Sequence, residues 1–342
     1  MNGADSPGGL FGHPHDALPV QLPPGPPWRR FGPQRPKRPA YVIRPEDTDV
    51  VNAALQLRRP LLVTGFPGVG KSSLAYAIAD DLGLGEVLHW AVNSRSVLTE
   101  ALYRYDAVSR LRDATASADS GRRLPVEEYV VLGPLGTALA SVPGSPRVLL
   151  IDELDKGDID LPNDLLTVFE DGAFEIPELS RQALETGAAT AQVALTRPAP
   201  YRAPDTVGET AEDGPQPPSA TVVDGWVCCQ EFPVVIITSN GERDFPPAFL
   251  RRCVRLDLKD PEPEHLKDVV KAQFGDDFTS ADEGTLAAVE EMINKFGEAG
   301  RRGRLATDQL LNAIHLRLNA VGLDPHVLKA VLTPLDNTDD AP

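Results

Sequence analysis

The chain has little cysteine, no long apolar run and a deficit of positive charge. Its 342 residues include only Cys228, Cys229 and Cys253, which lack the spacing of a metal site, so we expect reduced thiols in a cytoplasmic protein. No apolar run reaches the roughly 18 residues of a membrane helix. The Pro/Gly-rich start also lacks the apolar stretch of a signal peptide. The net charge of −17 argues against a general nucleic-acid binder, although it leaves room for a local basic groove.

The distribution of apolar residues predicts several segments. Residues 1–40 are rich in Pro and Gly and predict a disordered arm. From Tyr41, aliphatic runs alternate with amphipathic helical patterns, as in a parallel sheet buried on both faces and flanked by helices. The runs lie at 61–66, 87–92, 147–152, 234–240 and 254–258. We therefore predict an α/β fold with three layers and a five-stranded parallel sheet over residues 41–260.

The remaining segments are predicted to be helical or irregular. Helical spacing after Asp260 predicts a small helical lid over 261–335, followed by a disordered tail at 336–342. Mobile insertions are expected at about 113–125 and 180–222, where small and polar residues dominate. A hairpin is also expected in 220–233, with Asp224 and Gly225 as its turn.

The stretch GFPGVGKS fits the phosphate-binding pattern G-x-x-x-x-G-K-[ST] and lies between a predicted strand and a predicted helix. Its glycines allow backbone N–H groups to surround phosphate oxygens, while Lys71 reaches the β- and γ-phosphates and Ser72 ligates Mg²⁺. ATP and Mg²⁺ are thus the expected cofactors. The candidate nucleotide contacts are Gly65, Phe66, Pro67, Gly68, Val69, Gly70, Lys71, Ser72 and Ser73.

Two further strands end in polar side chains. The stretch RVLLIDELD delivers Asp152 and Glu153 to the carboxyl edge of the sheet, where open α/β folds bind ligands. Asp152 is the candidate for holding Mg²⁺ and contacting the nucleotide, and Glu153 is the candidate general base for a water molecule. The strand VVIITSN ends in Asn240, which we expect to position that water and report loss of the γ-phosphate. The alternative role of Asn240 is that of a turn former.

The ordered set GFPGVGKS, LLIDELDK, ITSN and AFLRRC resembles the AAA+ ATPases, in particular their MoxR-like branch. The segments GPLGTALAS and DLLTVFEDGAFEIP also resemble that branch. The resemblance further implies an inserted hairpin with its arms at 103–111 and 128–136, for which an ordinary surface excursion is the alternative. The resemblance extends from about Tyr41 to about Leu318. It implies an arginine that enters the neighbouring subunit's nucleotide site, which falls on Arg252, whereas Arg251 replaces an acidic residue of the family pattern. It also implies a lid arginine at the nucleotide, for which Arg302 or Arg304 is the candidate.

These observations favour an oligomeric Mg²⁺/ATP-dependent ATPase that remodels a protein client. The resemblance implies a homo-oligomer, with a hexameric ring as the family expectation, and a client protein that carries a von Willebrand A domain. One alternative is an ATP-dependent assembly switch with slow turnover, although the Asp152–Glu153 pair favours hydrolysis. The other is a nucleic-acid-stimulated motor of a restriction or defence system. The acidic charge disfavours that alternative, and no guanine-specific N-K-x-D pattern is present.

Overall fold

A computed structural model describes residues 25–30, 41–116, 124–187, 189–196, 218–300, 306–319 and 325–332. The strands in these ranges are β1 Leu61–Gly65, β2 Leu88–Ala91, β3 Tyr103–Tyr105, β4 Val130–Leu132, β5 Val148–Asp152, β6 Ala173–Glu175, β7 Thr190–Ala194, β8 Ser219–Val223, β9 Trp226–Cys228, β10 Val234–Thr238 and β11 Val254–Leu258. The helices are α1 Pro45–Leu57, α2 Lys71–Asp81, α3 Leu98–Leu102, α4 Ala107–Ala116, α5 Pro134–Leu139, α6 Leu161–Asp171, α7 Pro177–Thr186, α8 Pro247–Leu250, α9 Pro263–Phe274, α10 Asp276–Thr279, α11 Glu283–Gly300, α12 Thr307–Leu318 and α13 Pro325–Val331.

The main sheet has five parallel strands in the order β11–β1–β10–β5–β2. Successive side chains along a strand point to opposite faces of a sheet. Leu150 and Ile236 pack into one buried cluster, whereas Ile151 and Ile237 pack into a second. Both faces of the sheet are therefore buried between other elements. This confirms the predicted three-layer α/β core and explains why its three central strands, β1, β10 and β5, are continuous apolar runs.

The strand order determines where polar side chains meet. Strand β10 lies between β1 and β5, and all three run in the same direction. Their carboxyl ends, at Gly65, Thr238 and Asp152, therefore lie at one edge of the sheet. The loop between β1 and α2 starts at this edge, as do the turn after β5 and the loop after β10. The predicted site residues on the three loops are consequently neighbours.

A second sheet of six strands, in the order β3–β4–β7–β8–β9–β6, lies beside the core. The predicted hairpin in 220–233 belongs to it. Of the predicted arms 103–111 and 128–136, only β3 and β4 do, because the remainder of the first arm lies mostly in α4 and the end of the second lies in α5. Strands β3 and β4 pair antiparallel, with Tyr103 opposite Leu132. Strands β8 and β9 pair antiparallel around Asp224 and Gly225, which both have positive φ angles (51° and 81°), as a tight two-residue hairpin turn requires.

The second sheet corrects the two predicted insertions. Within 180–222, residues up to Thr186 belong to α7 and two segments form β7 and β8, so an irregular insertion was the wrong prediction for these parts. Composition misled because these strands are short and half exposed, and their pairing partners are distant in sequence. Likewise, the start of the 113–125 segment continues α4 as far as Ala116. Residues 117–123 and 197–217 lie outside the described ranges.

The chain after the core is helical, as predicted. Helices α9, α11 and α12 pack around a third apolar cluster, to which Leu266, Val289, Ile293 and Ile314 each contribute a fully buried side chain. Val289 and Ile293 are four residues apart and lie on one face of α11, in agreement with the helical spacing. The boundaries of the arm, core, lid and tail remain predictions. In the part of the chain that the structure describes, no helix is long and apolar enough to cross a membrane.

The predicted disordered arm contains an ordered contact. Residues Pro27–Arg29 form a 3-10 turn, and the Trp28 ring packs edge-on against Phe274 and His315 of the helical part, with centroids 5.7 and 5.9 Å away. The Trp28 indole N–H also donates to the Asn312 side chain at 3.2 Å. Disorder throughout 1–40 was thus the wrong prediction for residues 25–30. One aromatic side chain supplies an anchor that the Pro/Gly composition conceals.

Replacement of Trp28 by alanine should destabilise the helical part. We expect a loss of about 2 kcal/mol, because a half-buried indole gives up part of the 3–5 kcal/mol that core Trp or Phe truncations cost. Trp28→Phe should lose about half as much, since it keeps the ring contact and removes the hydrogen bond to Asn312. Denaturant unfolding of both variants measures the difference. An unfolding midpoint unchanged in Trp28→Ala would show that the contact contributes nothing to stability.

Candidate functional site

The phosphate-loop sequence forms the expected turn between β1 and α2. Gly65, Gly68 and Gly70 have φ angles of 140°, 81° and 96°, which glycine adopts without a Cβ clash. The loop is also tightly packed, because a Cβ added at Gly68 would lie 2.6 Å from the Ala306 Cβ, just before α12. The loop between Phe66 and Gly70 thus joins the first turn of α2 at the carboxyl edge of the sheet and touches the residue that precedes α12.

Lys71 is buried beneath this loop. Its ammonium donates hydrogen bonds to the backbone oxygens of Gly65 at 2.7 Å and Phe66 at 2.9 Å. Burial lowers the Lys71 pKa, and the negative charges of Asp155, Glu153 and Asp152 oppose this effect. Lys71 is therefore a cation held between the loop and a group of carboxylates, as a phosphate-binding lysine requires.

Asp152 is the most strongly hydrogen-bonded carboxylate of the site. Its Oδ1 accepts from the Ser72 hydroxyl at 2.7 Å and the Thr238 hydroxyl at 2.6 Å, and its Oδ2 lies 3.2 Å from His89 Nε2. Burial alone raises the Asp152 pKa, but the hydrogen bonds from His89, Thr238 and Ser72 outweigh it and lower the pKa to about 2. The structure thus brings the two predicted metal ligands, Ser72 and Asp152, into direct contact.

Glu153 has a different environment. Its backbone is left-handed (φ 59°), an uncommon conformation for a residue other than glycine, and its N–H donates to the Thr238 hydroxyl at 2.8 Å. Its side chain is 43% exposed, and Oε1 lies 2.9 Å from the Lys156 ammonium and 3.4 Å from the Asn240 amide nitrogen. The structure therefore brings Asn240 and Glu153 together and leaves the Glu153 carboxylate accessible to solvent.

Three contacts of the site were not predicted from the sequence. Thr238 is buried at the end of β10 and bridges Asp152 and Glu153. His89 on β2 reaches Asp152, and buried Asp155 accepts the backbone N–H of Asn240 at 3.0 Å. A polar residue at the end of a buried strand is a usable signal for Thr238. His89 and Asp155 carry no comparable signal, because their partners are distant in sequence.

The candidate arginines differ in what they contact. Arg252, after α8, forms an ion pair with Glu170 of α6 and also donates to the backbone oxygen of Ala248 at 3.1 Å. Arg251 is exposed, and no ion pair involves it among the described residues. Arg302 and Arg304 fall in 301–305, outside the described ranges.

A cleft that opens to solvent adjoins the phosphate loop on the side of α1 and α9. Tyr41 lines it and also approaches the loop, where a Cβ added at Gly70 would lie 3.2 Å from the ring. Burial and the nearby Asp47 charge raise the Tyr41 pKa to about 12, so its hydroxyl stays neutral. The other lining residues are Val42, Ile43, Arg44, Asp47, Val69, Leu258, Lys259, Pro261 and His265. Sequence reasoning missed this cleft because its walls come from four separate segments.

Comparison with known proteins bears on this core. Residues 61–171 match the family described as "ATPase family associated with various cellular activities (AAA)", which supports an AAA+ P-loop ATPase core. No curated protein matches the sequence. Among solved structures, the chain is similar to NtrX from Brucella abortus in complex with ADP, with 15% identity and a TM-score of 0.39. The similarity covers 86% of this chain and 55% of that chain, so this chain spans little more than half of it.

The Thr238 hydroxyl should contribute more to stability than an ordinary surface hydroxyl. Thr238→Val keeps the shape of the side chain but removes hydrogen bonds to Asp152 and Glu153, one of them to a charged group. We expect a loss of roughly 1–3 kcal/mol in the free energy of unfolding. Thr64→Val in neighbouring β1 is the matched control, because the Thr64 hydroxyl donates to the exposed Asp257 carboxylate at 2.9 Å. In urea unfolding, Thr238→Val should lose more free energy of unfolding than Thr64→Val. Equal losses in the two variants would show that the hydrogen bonds of Thr238 contribute no more than those of a surface hydroxyl.

Proposed function

We propose that this chain binds ATP with Mg²⁺ and hydrolyses it as an AAA+ ATPase of the MoxR-like type. The supporting observation is the convergence of Lys71 and Ser72 from one loop with Asp152 and Glu153 from the end of β5. The direct contact between Ser72 and Asp152, at 2.7 Å, joins the two elements. A buried cation, a hydroxyl and two carboxylates at one sheet edge suit the binding and cleavage of a nucleoside triphosphate.

The donor set fits Mg²⁺, which prefers hard oxygen ligands and is commonly held by one or two protein groups together with water and phosphate. The Ser72 hydroxyl and the Asp152 carboxylate would hold it. Because the Asp152 pKa is about 2, this carboxylate is ionised at neutral pH, as a metal ligand must be. When bound, Mg²⁺ supplies positive charge that stabilises the phosphate oxygens.

Glu153 is suited to accept the proton of an attacking water. The carboxylate is exposed, whereas Asp152 is engaged by three donors, so the two neighbouring acids have separate roles. As water attacks the γ-phosphorus, its proton passes to Glu153 and the bond from that phosphorus to the bridging oxygen breaks, giving ADP and phosphate. Lys71 compensates the charge on the phosphates, and Asn240, 3.4 Å from Glu153, orients the water.

The cleft beside Tyr41 is suited to the nucleotide base. Ile43, Val69 and Leu258 provide apolar surface, and the Tyr41 ring borders the phosphate loop at Gly70. Val69 belongs to the phosphate loop and also lines the cleft, so the two regions are contiguous. A ligand with a flat apolar ring at one end and phosphates at the other matches this arrangement.

Sharing of the site between subunits is part of the proposal. Arg251 and Arg252 follow the loop that carries Asn240, and neither contacts the phosphate loop of its own chain in the interactions described. The resemblance to AAA+ proteins implies a homo-oligomer, with a hexamer expected, in which one of these arginines enters the neighbouring site. A protein client with a von Willebrand A domain is the partner that the MoxR-like resemblance implies.

A slow switch is the second candidate function, and one observation favours it. Lys156 and Asn240 both contact the same oxygen of Glu153, at 2.9 and 3.4 Å. A carboxylate oxygen that is held by an ammonium is not free to contact the attacking water, so turnover would wait until a partner or client releases Lys156. In this alternative the protein assembles on ATP, and hydrolysis only resets the assembly.

Glu153→Gln should separate binding from hydrolysis. The amide cannot accept the proton of water, so we expect kcat to fall about 10²- to 10⁴-fold while ATP binding stays near that of the wild type. Lys71→Ala should instead weaken binding itself. Phosphate release and the fluorescence of a labelled nucleotide measure the two effects. An unchanged rate in Glu153→Gln would contradict the role of Glu153 in hydrolysis. Strong stimulation of the wild-type ATPase by DNA or RNA would indicate a nucleic-acid partner instead of a protein client.

The two arginines should differ in mixing experiments. Loss of a trans-acting arginine lowers turnover about 10³- to 10⁵-fold with little change in ATP binding. We expect this loss of turnover for Arg252→Ala, because the family pattern places the trans-acting arginine at this position. The exception is an oligomer in which Arg252 remains paired with Glu170. In that case Arg251→Ala shows the larger loss.

Mixing the impaired arginine variant with Lys71→Ala protein should restore part of the activity, because each mutant subunit supplies what its neighbour lacks. Light scattering with and without ATP reports the assembly. A fully active monomer, with no recovery in any mixture, would contradict shared sites.

A further inference from the structure

Asp155 is a buried carboxylate to which the hydrolytic scheme assigns no role. It lies in the 3-10 turn Leu154–Lys156 that follows Glu153, and its side chain is only 3% exposed. Its Oδ2 accepts two backbone N–H groups, from Asn240 at 3.0 Å and from Glu242 at 3.1 Å. Its Oδ1 is buried without a hydrogen-bond partner in the described part of the chain.

The burial of Asp155 is costly and therefore calls for an explanation. A carboxylate removed from water needs compensating hydrogen bonds or an ion pair, and in the described ranges Asp155 has no ion pair within 4.0 Å. Two N–H donors compensate one oxygen and leave the other without a partner.

The two hydrogen bonds fix the backbone on either side of Gly241. The same loop is tied to the same turn a third time, because the Arg243 guanidinium donates to the Gly157 backbone oxygen at 2.8 Å. The backbone position of Asn240 is thereby set relative to the turn that starts at Glu153. The 3.4 Å approach of the Asn240 amide to the Glu153 carboxylate depends on this position.

We infer that Asp155 is a positioning residue for the hydrolysis of ATP, which acts by holding Asn240 against Glu153. The inference rests on the proposed ATPase function. Asp155 itself does not touch the reacting atoms. It keeps the amide and the base next to each other, so that both can contact one water molecule. Misplacement of a catalytic group by about 1 Å costs on the order of 10²-fold in rate, so loss of the two hydrogen bonds should act on turnover rather than on affinity.

Asp155→Ala and Asp155→Asn distinguish this role from a need for charge. The alanine variant loses both hydrogen bonds, so we expect kcat to fall about 10- to 100-fold with the KM for ATP nearly unchanged. The asparagine variant keeps an oxygen that accepts both N–H groups, and its kcat should stay within about threefold of the wild type. Asp158→Asn, an exposed acid three residues further along, is the matched control and should have no effect.

A double-mutant cycle tests whether Asp155 acts through Asn240. In an Asn240→Ala background, Asp155→Ala should lower kcat by less than about threefold, because the group that Asp155 positions is already missing. If Asp155→Ala does not fold, Asp155→Ser replaces it, since the shorter side chain keeps a polar atom but cannot reach both N–H groups.

Three results would overturn the inference: an unchanged kcat in the folded alanine or serine variant, independent losses in the cycle, or an asparagine variant as impaired as the alanine variant. A wild-type protein without ATPase activity would remove the proposed function and this inference together. If the wild type is active and any of the three results is found, the role of Asp155 is contradicted while the proposed ATPase function stands.

Discussion

The hydroxyl of Thr238 is the interaction on which the geometry of the site depends. Strand β10 lies between β1 and β5 and ends in this buried side chain, which donates to Asp152 and accepts from the Glu153 N–H. The second bond supports a left-handed backbone at Glu153, which costs of order 1 kcal/mol or more outside glycine. The turn that follows sends the two acids into different environments. Asp152 stays half-buried among donors with a low pKa, and Glu153 reaches solvent.

The features that the sequence predicts well are those with local or strongly periodic patterns. The five apolar runs predict the parallel sheet because strands buried on both faces need apolar side chains at every position. The phosphate loop is predictable because its glycines have positive φ angles that other residues avoid. The turn at Asp224 and Gly225 is predictable for the same reason. In each case the residues that carry the signal are also those that make the local structure.

The features that the sequence does not predict depend on partners far along the chain. Asp155 bonds to the backbone 85 residues away, and Trp28 bonds to a side chain 284 residues away. Neither residue differs in local pattern from a surface acid or a linker aromatic. The second sheet is hidden for a similar reason, because β7 and β8 pair across a long intervening segment of low apolar content. Composition describes how much apolar area a segment can bury, but not which segment covers it.

Close packing joins the phosphate loop to the helical part, as hydrogen bonds join it to the core. The Gly68 backbone approaches Ala306 so closely that a single added methyl group would overlap it. Ala306 is in turn fixed at the start of α12, where its N–H donates to the Gln309 side chain at 3.0 Å. Because packed atoms do not compress, a change in the loop that displaces Gly68 toward Ala306 must also move α12. The position of the loop and that of the start of α12 therefore depend on each other, and the absence of a side chain at Gly68 allows them to be adjacent.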